Sequence, residues 1–211
     1  MAHSRDIEEY KQHLKLTRTQ REVLVVLLLG DGHLETQNGG RTYRLKIEQC
    51  DQHRSYVWHL YELFNAWVRT PPQPKKVRKW WFQTLSHGAF RFYAQQFYRE
   101  GRKAVPKLIR RLLTPRGLAY WFMDDGSIKD LKSKAVVLNT QGFEYEEVER
   151  LAQVLRERFA LEVYLRRQRE GYQIVVAGRS LQRFLDLVEP YLVAEMRYKP
   201  PKAGRTELPK R

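Results

Sequence analysis

Two stretches of the chain consist almost entirely of apolar residues and end in the same acidic turn. Residues 24–29 run into Gly30, Asp31 and Gly32, and residues 118–123 run into an Asp-Asp-Gly turn. Each stretch predicts a buried helix that ends at a carboxylate, after which glycine allows a sharp turn. A carboxylate at that position meets the negative end of the helix dipole and requires a cation nearby. The pattern therefore predicts two Asp side chains gathered around divalent metal.

Between the apolar stretches, strand-like and helical patterns follow one another. Thr19 and Glu22 form a capping-box pair that is predicted to begin the first apolar helix. Polar and apolar residues then alternate over residues 33–50, and the glycines at 39 and 40 predict a hairpin turn. Residues at helical spacing predict a helix from Asp51 to the prolines beyond residue 70. We expect a second hairpin over 75–86 turning at Lys79-Trp80, a helix over 89–100, and a short helix or linker over 103–113.

The second half of the chain repeats this order. Thr114 and Pro115 predict a helix start with proline in its first turn. The later elements are a hairpin over 127–141 turning near Lys132-Ser133, a helix over 144–160, a hairpin over 161–178 turning at Glu170-Gly171, and a helix over 179–196 interrupted at Pro190. Each half therefore has the predicted order α-β-β-α-β-β-α.

The spacing of lysines relative to the acids supports an internal duplication. Lys103 follows Asp31 by 72 residues, and Lys199 follows Asp125 by 74 residues. Both lysines lie shortly before a proline. We therefore predict an N-terminal half over 1–113 and a C-terminal half over 114–211. No Gly/Ser-rich linker separates them, so we expect the halves to pack as one unit.

Composition narrows the class of partner. The 211 residues carry a net charge of +15 and 12% aromatic residues, which favours a folded protein that binds a polyanion over a disordered basic tail. One cysteine excludes an intrachain disulfide framework. No apolar stretch is long enough to predict a membrane span, and the first ten residues lack a signal-peptide pattern. The single cysteine is compatible with a reducing cytoplasm. The preference for arginine over lysine is typical of a GC-rich gene, so we expect a cytoplasmic protein from a bacterial or archaeal host rather than an organellar one.

Basic residues are concentrated in the predicted hairpins. A hairpin that is apolar on one face and basic on the other can lie along a DNA groove, where Lys and Arg bind phosphates and Arg and Gln read base edges. The candidate DNA-binding residues are Arg41, Arg44, Lys46, Lys75, Lys76, Arg78, Lys79, Lys129, Lys132, Lys134, Arg166, Arg167, Arg169 and Gln173.

In its two apolar stretches with acidic ends, the chain resembles the LAGLIDADG homing endonucleases, in the monomeric branch that carries two copies of the motif. The motif windows are residues 24–32 and 118–126, and residues 136–141 and 196–200 are similar to the omega-type mobile-intron enzymes. The resemblance implies an α+β fold of two pseudo-symmetric halves. Their motif helices would pack at the centre, and antiparallel sheets would form a DNA-binding saddle.

The resemblance also implies a metal site at the motif ends. Asp31 and Asp125 would bind Mg²⁺, for which Mn²⁺ can substitute, with help from the backbone carbonyls of Gly30 and Asp124. Two acids of this kind hold metals that activate water and stabilise both the attacking and the leaving oxygen of a phosphodiester.

Four further residues match family positions around that site. Lys103 and Lys199 correspond to peripheral active-site lysines, which stabilise developing charge or tune the water network. Glu48 and Asn139 correspond to a polar position near the end of the second strand of each half.

One departure concerns the helix contact, where the family has small residues. This chain has Val25, Val26 and Tyr120 there and retains only Ala119, so we expect a wider or differently crossed interface.

These features predict a site-specific, Mg²⁺-dependent endonuclease that acts as a monomer on a long asymmetric site in double-stranded DNA and promotes intron mobility. Two alternatives are an RNA maturase that assists splicing of its host intron and a DNA-binding regulator on an inactive nuclease scaffold. Both acids and both lysines argue against the regulator. Nothing in the sequence excludes the maturase, because a basic saddle can also bind RNA.

Overall fold

The same seven-element order occurs twice along the chain. The computed structural model describes residues 2–76, 78–129 and 133–200. The helices within them are α1 (Ala2–His13), α2 (Arg18–Leu29), α3 (Arg54–Phe64), α4 (Arg91–Phe97), α5 (Ile109–Leu112), α6 (Pro115–Asp125), α7 (Tyr145–Phe159) and α8 (Leu181–Val188). The strands are β1 (His33–Glu35), β2 (Arg44–Cys50), β3 (Gln73–Lys75), β4 (Lys79–Gln83), β5 (Tyr98–Arg99), β6 (Arg102–Lys103), β7 (Gly126–Ile128), β8 (Val136–Leu138), β9 (Val163–Gln168) and β10 (Gly171–Val176).

Two four-stranded antiparallel sheets have the same strand order. The first sheet runs β1-β2-β4-β3 and the second runs β7-β8-β10-β9. In each half the motif helix precedes the first strand, and a further helix, α3 or α7, packs against the sheet. The predicted α+β fold of two pseudo-symmetric halves is therefore confirmed.

Helices α2 and α6 lie side by side at the centre. Every residue from Val23 to Leu29 is buried, as is every residue from Gly117 to Asp124. The helices approach closely at Gly117, where a Cβ atom would stand 3.4 Å from Val26 Cγ1. Arg116 Nε also donates to Glu22 Oε2 across the contact at 3.0 Å. This burial explains why both motifs are apolar on all sides.

Tyr120 is accommodated on the side of α6 that faces α3. Its hydroxyl lies 2.7 Å from His59 Nε2 on that helix. Gly117 is a small residue at the helix contact, and the sequence pattern did not single it out.

Two local predictions are wrong. The capping box of α2 is formed by Thr17 and Gln20, because Thr17 Oγ1 accepts from the Gln20 amide while Gln20 returns a bond to Thr17. Thr19 and Glu22 have the same spacing but lie inside the helix, where Glu22 pairs with Arg18. Lys79 and Trp80 belong to β4 and do not form the turn between β3 and β4.

Lys103 lies on a two-stranded ribbon, where the pattern predicted a short helix or linker. Tyr98 pairs with Lys103 and Arg99 with Arg102. Glu100 and Gly101 connect the strands with φ of 50° and 80°, and two consecutive positive φ values are typical of the tightest hairpin turns. The predicted helix over 89–100 therefore ends at Phe97.

The predicted helix over 179–196 is also shorter than expected. Helix α8 ends at Val188, and two 3₁₀ turns, Glu189–Tyr191 and Ala194–Met196, lead to Lys199. Helix α1 was not predicted. None of the helices in the described residues is both long and apolar enough to cross a membrane.

Candidate active site

The two motif helices bring their carboxyl ends together at Gly30. A Cβ atom on Gly30 would stand 2.3 Å from Asp124 Oδ2 and 2.5 Å from Asp125 Oδ2. Any larger residue would therefore collide with both acids of the second motif. Gly30 leaves the space in which the acids of the two halves meet.

Asp124 connects the two halves through its side chain. Its Oδ2 accepts a hydrogen bond from the backbone N–H of Asp31 at 3.2 Å, and its Oδ1 accepts from Gln49 Nε2 at 2.7 Å. Asp124 is 9% exposed and Gln49 is 6% exposed. Gln49 Oε1 in turn lies 3.3 Å from His53 Nδ1. A chain of polar contacts therefore runs from the second motif into the first sheet and the turn before α3.

Burial and mutual repulsion raise the pKa values of the acids in the second motif. Burial, reinforced by the Asp31 charge, raises the pKa of Asp125 to about 7. Burial likewise raises the pKa of Asp124, with Asp125 and Asp31 adding to the effect. Both carboxyl groups are therefore harder to ionise than the carboxyl group of an exposed aspartate.

A lysine ammonium group stands at the end of each motif helix. Lys103 Nζ donates to the carbonyl of Gly30. Lys199 Nζ donates to the Met123 carbonyl and lies 3.4 Å and 3.3 Å from the carbonyl oxygens of Phe122 and Gly126. These are the cations that acidic helix ends require. Burial lowers the pKa of both lysines, and the neighbouring acids oppose that shift.

Five of the predicted site residues line one surface recess of about 280 Å³. They are Gly30, Asp31, Lys103, Asp125 and Asn139. Asn139 reaches this place because its backbone N–H donates to the Asp125 carbonyl oxygen at 3.2 Å. Residues from both halves therefore share one opening.

Glu48 and Asn139 differ in their contacts although they occupy matching strand positions. The Glu48 carboxylate accepts from Lys75 and from Lys79, the latter at 2.9 Å. These two hydrogen bonds lower the pKa of Glu48 to about 2. Asn139 Oδ1 instead accepts from Gln173 Nε2 at 2.7 Å. Glu48 is thus held on the sheet by two lysines.

Most of the predicted basic residues of the first half share one face of the first sheet. The register pairs Lys46 with Gln83 and Glu48 with Trp81, and the alternation of β2 leaves these side chains on the face away from α3. The predicted residues on this face or in its loops are Arg41, Arg44, Lys46, Lys75, Lys76, Arg78 and Lys79. The ammonium groups of Lys46 and Lys75 both lie over the Trp81 ring, at 5.7 Å and 5.5 Å from its centroid.

The predicted residues of the second half are divided between two faces. Arg166 pairs with Gln173, whose Oε1 accepts from the Arg166 guanidinium at 2.6 Å and 3.1 Å. Arg167 lies on the opposite face, because neighbouring residues of a strand alternate. Arg167 is therefore not positioned with the other basic residues. Lys129, Lys134 and Arg169 are exposed around the strands, and Lys132 lies outside the described residues.

Gln49 is the site residue that sequence reasoning missed, although a signal for it exists. Leu45, Ile47 and Gln49 alternate on the buried face of β2. A glutamine in place of an apolar residue on that face requires a buried hydrogen-bond partner. The acid that supplies it lies 75 residues away, in the other half of the chain.

The donor set fits a Mg²⁺ ion that shares its coordination with a substrate. Mg²⁺ is usually bound by one or two carboxylates together with water and substrate phosphates. Asp31 and Asp125 are two such carboxylates, and they line the same recess. Among the described residues, no three His, Cys, Asp or Glu side chains are arranged to hold a metal by themselves.

The fold and site define a class of protein: two fused copies of one α+β unit that place paired acids and lysines at the junction of their central helices. A family model described as the LAGLIDADG DNA endonuclease family matches residues 21–184. The chain therefore belongs to the LAGLIDADG DNA endonuclease family, which confirms the resemblance of the two motifs.

Relatives of known sequence or structure match nearly the whole chain. It is 31% identical over 209 residues to the DNA endonuclease I-ChuI of Chlamydomonas applanata, with 88% of this chain and 96% of the relative covered. It is also similar to the solved structure of the homing endonuclease I-WcaI bound to its DNA recognition sequence. That match has a TM-score of 0.83 and 31% identity and covers 92% of this chain and 91% of the other.

A third relative is named as an RNA maturase. The cytochrome b mRNA maturase bI2 of Debaryomyces hansenii is 27% identical over 197 residues, with 87% of this chain and 74% of the relative covered.

Proposed function

We propose that this protein is a site-specific homing endonuclease that hydrolyses phosphodiester bonds in double-stranded DNA with divalent metal and so promotes intron mobility. One observation carries the proposal. Asp31 and Asp125 converge from the two halves, and Lys103 and Lys199 stand at the ends of the helices that carry them. Each acid serves mainly one strand, which suits a reaction with two scissile phosphates.

Four side chains hold the reacting groups in place. Asp31 and Asp125 would hold Mg²⁺, or Mn²⁺ in its place, and the bound metal supplies an activated water and stabilises the charge on the phosphate. The carbonyls of Gly30 and Asp124 are the predicted backbone ligands. Lys103 and Lys199 place positive charge beside each phosphate, where negative charge develops in the transition state. The use of a divalent metal is supported by a solved structure of similar fold and 17% identity, that of I-DmoI in complex with DNA and Mn.

The outer faces of the two sheets are the proposed DNA-binding surface. Arg44, Lys46, Lys75 and Lys79 on the first sheet, with Arg166 and Gln173 on the second, supply phosphate and base contacts. The similarity to I-WcaI, whose structure is solved bound to its DNA recognition sequence, supports this surface. The long asymmetric target follows from two sheets of different sequence within one monomer.

Glu48 and Asn139 are proposed to act beside the metal site rather than as ligands. Asn139 directly follows β8 and donates its backbone N–H to Asp125, and Glu48 is its counterpart on β2. Both side chains are hydrogen-bonded to residues of the proposed DNA surface. The cytoplasmic location and the prokaryotic host remain predictions. The relatives come from Chlamydomonas applanata and Debaryomyces hansenii, and these sources do not favour a prokaryotic host.

RNA maturation is the second candidate function. The similarity to the maturase bI2 favours it, and the basic face that suits DNA also suits host intron RNA. Retention of both acids, both lysines and the open recess favours the endonuclease as the main activity.

Cleavage of the intronless form of the host gene tests the proposal. We expect wild-type protein with Mg²⁺ to cut both strands at one site, and Asp31→Asn or Asp125→Asn to abolish double-strand cleavage. Binding should be largely intact in both variants, because removing a negative charge near DNA does not weaken attraction to phosphate. The measurement is a plasmid cleavage assay together with a binding titration without metal.

Two results would contradict these assignments. Near wild-type cutting of both strands by either variant would show that the acids do not hold the metal. Wild-type protein that binds the host intron RNA and promotes its splicing, but never cuts the DNA, would establish the maturase instead.

A further inference from the structure

The second motif ends in two acids, and the proposed reaction uses the carboxylate of only one. Asp124 precedes Asp125, and its buried side chain contacts Gln49 and Asp31 of the first half. Its backbone carbonyl is the predicted metal ligand, so the proposed reaction assigns no role to the buried carboxylate. A buried carboxylate is costly unless its hydrogen bonds are made, which indicates that this one has a specific task.

We propose that the Asp124 side chain is a positioning residue that fixes Asp31 relative to Asp125 and so aligns the two halves of the active site. The proposal rests on the proposed endonuclease site. Asp124 Oδ2 accepts from the N–H of Asp31 itself, at 3.2 Å. The backbone of one proposed metal-binding acid is therefore anchored by the residue adjacent to the other.

Gln49 completes this alignment from the first sheet. Its Nε2 donates to Asp124 Oδ1 at 2.7 Å, while its Oε1 lies within hydrogen-bond distance of His53 Nδ1, at 3.3 Å. With His53 as donor, the Gln49 amide is held in one orientation, with its NH₂ group facing the carboxylate. Gly30 provides the room for Asp124, because a side chain there would occupy the position of Asp124 Oδ2.

Asp124 acts here as an acceptor of two hydrogen bonds and not as a reacting acid. An exchange of the acid and the amide can therefore preserve the arrangement. In Gln49→Glu/Asp124→Asn, the new carboxylate accepts from His53 and from the Asn amide, and the Asn carbonyl accepts from Asp31. Gln49→Glu alone places two buried carboxylates against each other, which is strongly unfavourable.

The test compares these variants on duplex DNA labelled on each strand, with saturating protein and a range of Mg²⁺ concentrations. We expect Gln49→Glu to slow cleavage by about 10²-fold or more, since misplacement by about 1 Å can cost that much. The double variant should recover to within about tenfold of wild type. Asp124→Asn should cut at least about tenfold faster than Asp124→Leu, because only Asn keeps an acceptor for Asp31.

Two readouts separate alignment from general stability. Gln49→Leu should slow the strand served by Asp31 several-fold more than the other strand and raise the Mg²⁺ concentration required for half-maximal rate. The matched control is Gln20→Leu, which removes another buried glutamine, whose Nε2 donates to the Leu63 carbonyl at 2.8 Å. That control should lower the melting temperature while leaving the strand ratio and the Mg²⁺ requirement unchanged.

The outcomes are distinguishable. A double variant that is folded by circular dichroism yet cuts no faster than Gln49→Glu would show that the Asp124 carboxylate acts directly, and would overturn the proposal. Equal loss on both strands in Gln49→Leu, matching the control, would overturn it as well. Wild-type protein that does not cleave DNA would instead contradict the proposed function.

Discussion

Lys103 and Lys199 stand at equivalent helix ends but are held differently. Lys103 Nζ bonds to the Gly30 carbonyl, whereas Lys199 Nζ is near two carbonyl oxygens in the last turn of α6 and the carbonyl oxygen of Gly126, the next residue. Both ammonium groups are partly buried beside the acids. Their charge can therefore act on the phosphate without full screening by water.

Replacement of either lysine by Met tests their role in the chemical step. Lys103→Met and Lys199→Met keep the aliphatic stem and remove the charge, so we expect binding to change little. Cleavage should slow by about 10²-fold or more if the ammonium stabilises charge that develops only in the transition state. Each variant should slow one strand more than the other and accumulate nicked plasmid, as measured on supercoiled DNA.

Lys107→Met is the matched control for both lysines. Lys107 is exposed between β6 and α5, outside the proposed site. The Lys107→Met variant should cut DNA at the wild-type rate. If Lys103→Met and Lys199→Met also cut at that rate, the lysines have no catalytic role and only the acids remain in the proposed site.

At the level of single residues, the acids and lysines could be proposed from the sequence because the apolar runs and the repeated spacing mark them. The apolar run before Asp31 and the repeated spacing to Lys103 are visible in the sequence. The interaction of Asp124 with Gln49 joins residues 75 positions apart and depends on how the halves pack. No local pattern states which buried acid meets which buried amide.

Gly30 shows how the carboxyl end of α2 controls the site. Gly30→Ala would place a Cβ atom within 2.5 Å of carboxylate oxygens of Asp124 and Asp125, so these acids must move. We expect cleavage to fall by about 10²-fold, because a small displacement of reacting groups is costly. The measurement is the rate of cleavage at saturating Mg²⁺, together with the melting temperature.

Gly88→Ala serves as the control for Gly30→Ala. A Cβ atom on Gly88 would meet no described heavy atom within 4 Å outside its two chain neighbours, and its φ is not positive. The Gly88→Ala variant should cleave DNA at the wild-type rate. Wild-type cleavage by Gly30→Ala as well would show that the acids tolerate displacement and that this contact does not define the site.

The order of the elements could be predicted, but several of their boundaries could not. The β3–β4 turn lacks the glycine or asparagine that marks the first hairpin, and Arg78 adopts a φ of 48° that its residue type does not indicate. The β5–β6 ribbon contains only two residue pairs, too few to show alternation. Lys103 was therefore identified by its spacing to Asp31, while the element that carries it was not.

For the whole molecule, the net charge of +15 and the basic sheet faces predict salt-sensitive DNA binding. If about 8 phosphates are neutralised, a plot of log K against log salt concentration should have a slope of roughly −7. The measurement is equilibrium binding to the target duplex over a range of KCl concentrations without metal. A slope shallower than about −3 would show that the sheet faces do not lie along DNA.

The two halves are expected to unfold together because they share buried contacts. Helices α2 and α6 are buried against each other. In addition, the Val105 N–H donates to Glu147 Oε1 at 3.1 Å, and Arg150 donates to the Val105 carbonyl at 3.0 Å, which attaches the end of the predicted first half to α7. These contacts give neither half an independent core.

A cavity in the second half should therefore destabilise the first. Leu185 on α8 is 1% exposed, and Leu185→Ala should cost about 2–5 kcal/mol. Four of the five tryptophans, at positions 58, 67, 80 and 81, lie in the first half, so their fluorescence reports its unfolding. We expect Leu185→Ala to shift the fluorescence transition and the circular dichroism transition in urea equally. A fluorescence midpoint that stays at the wild-type value would show instead that residues 1–113 and 114–211 are independent domains.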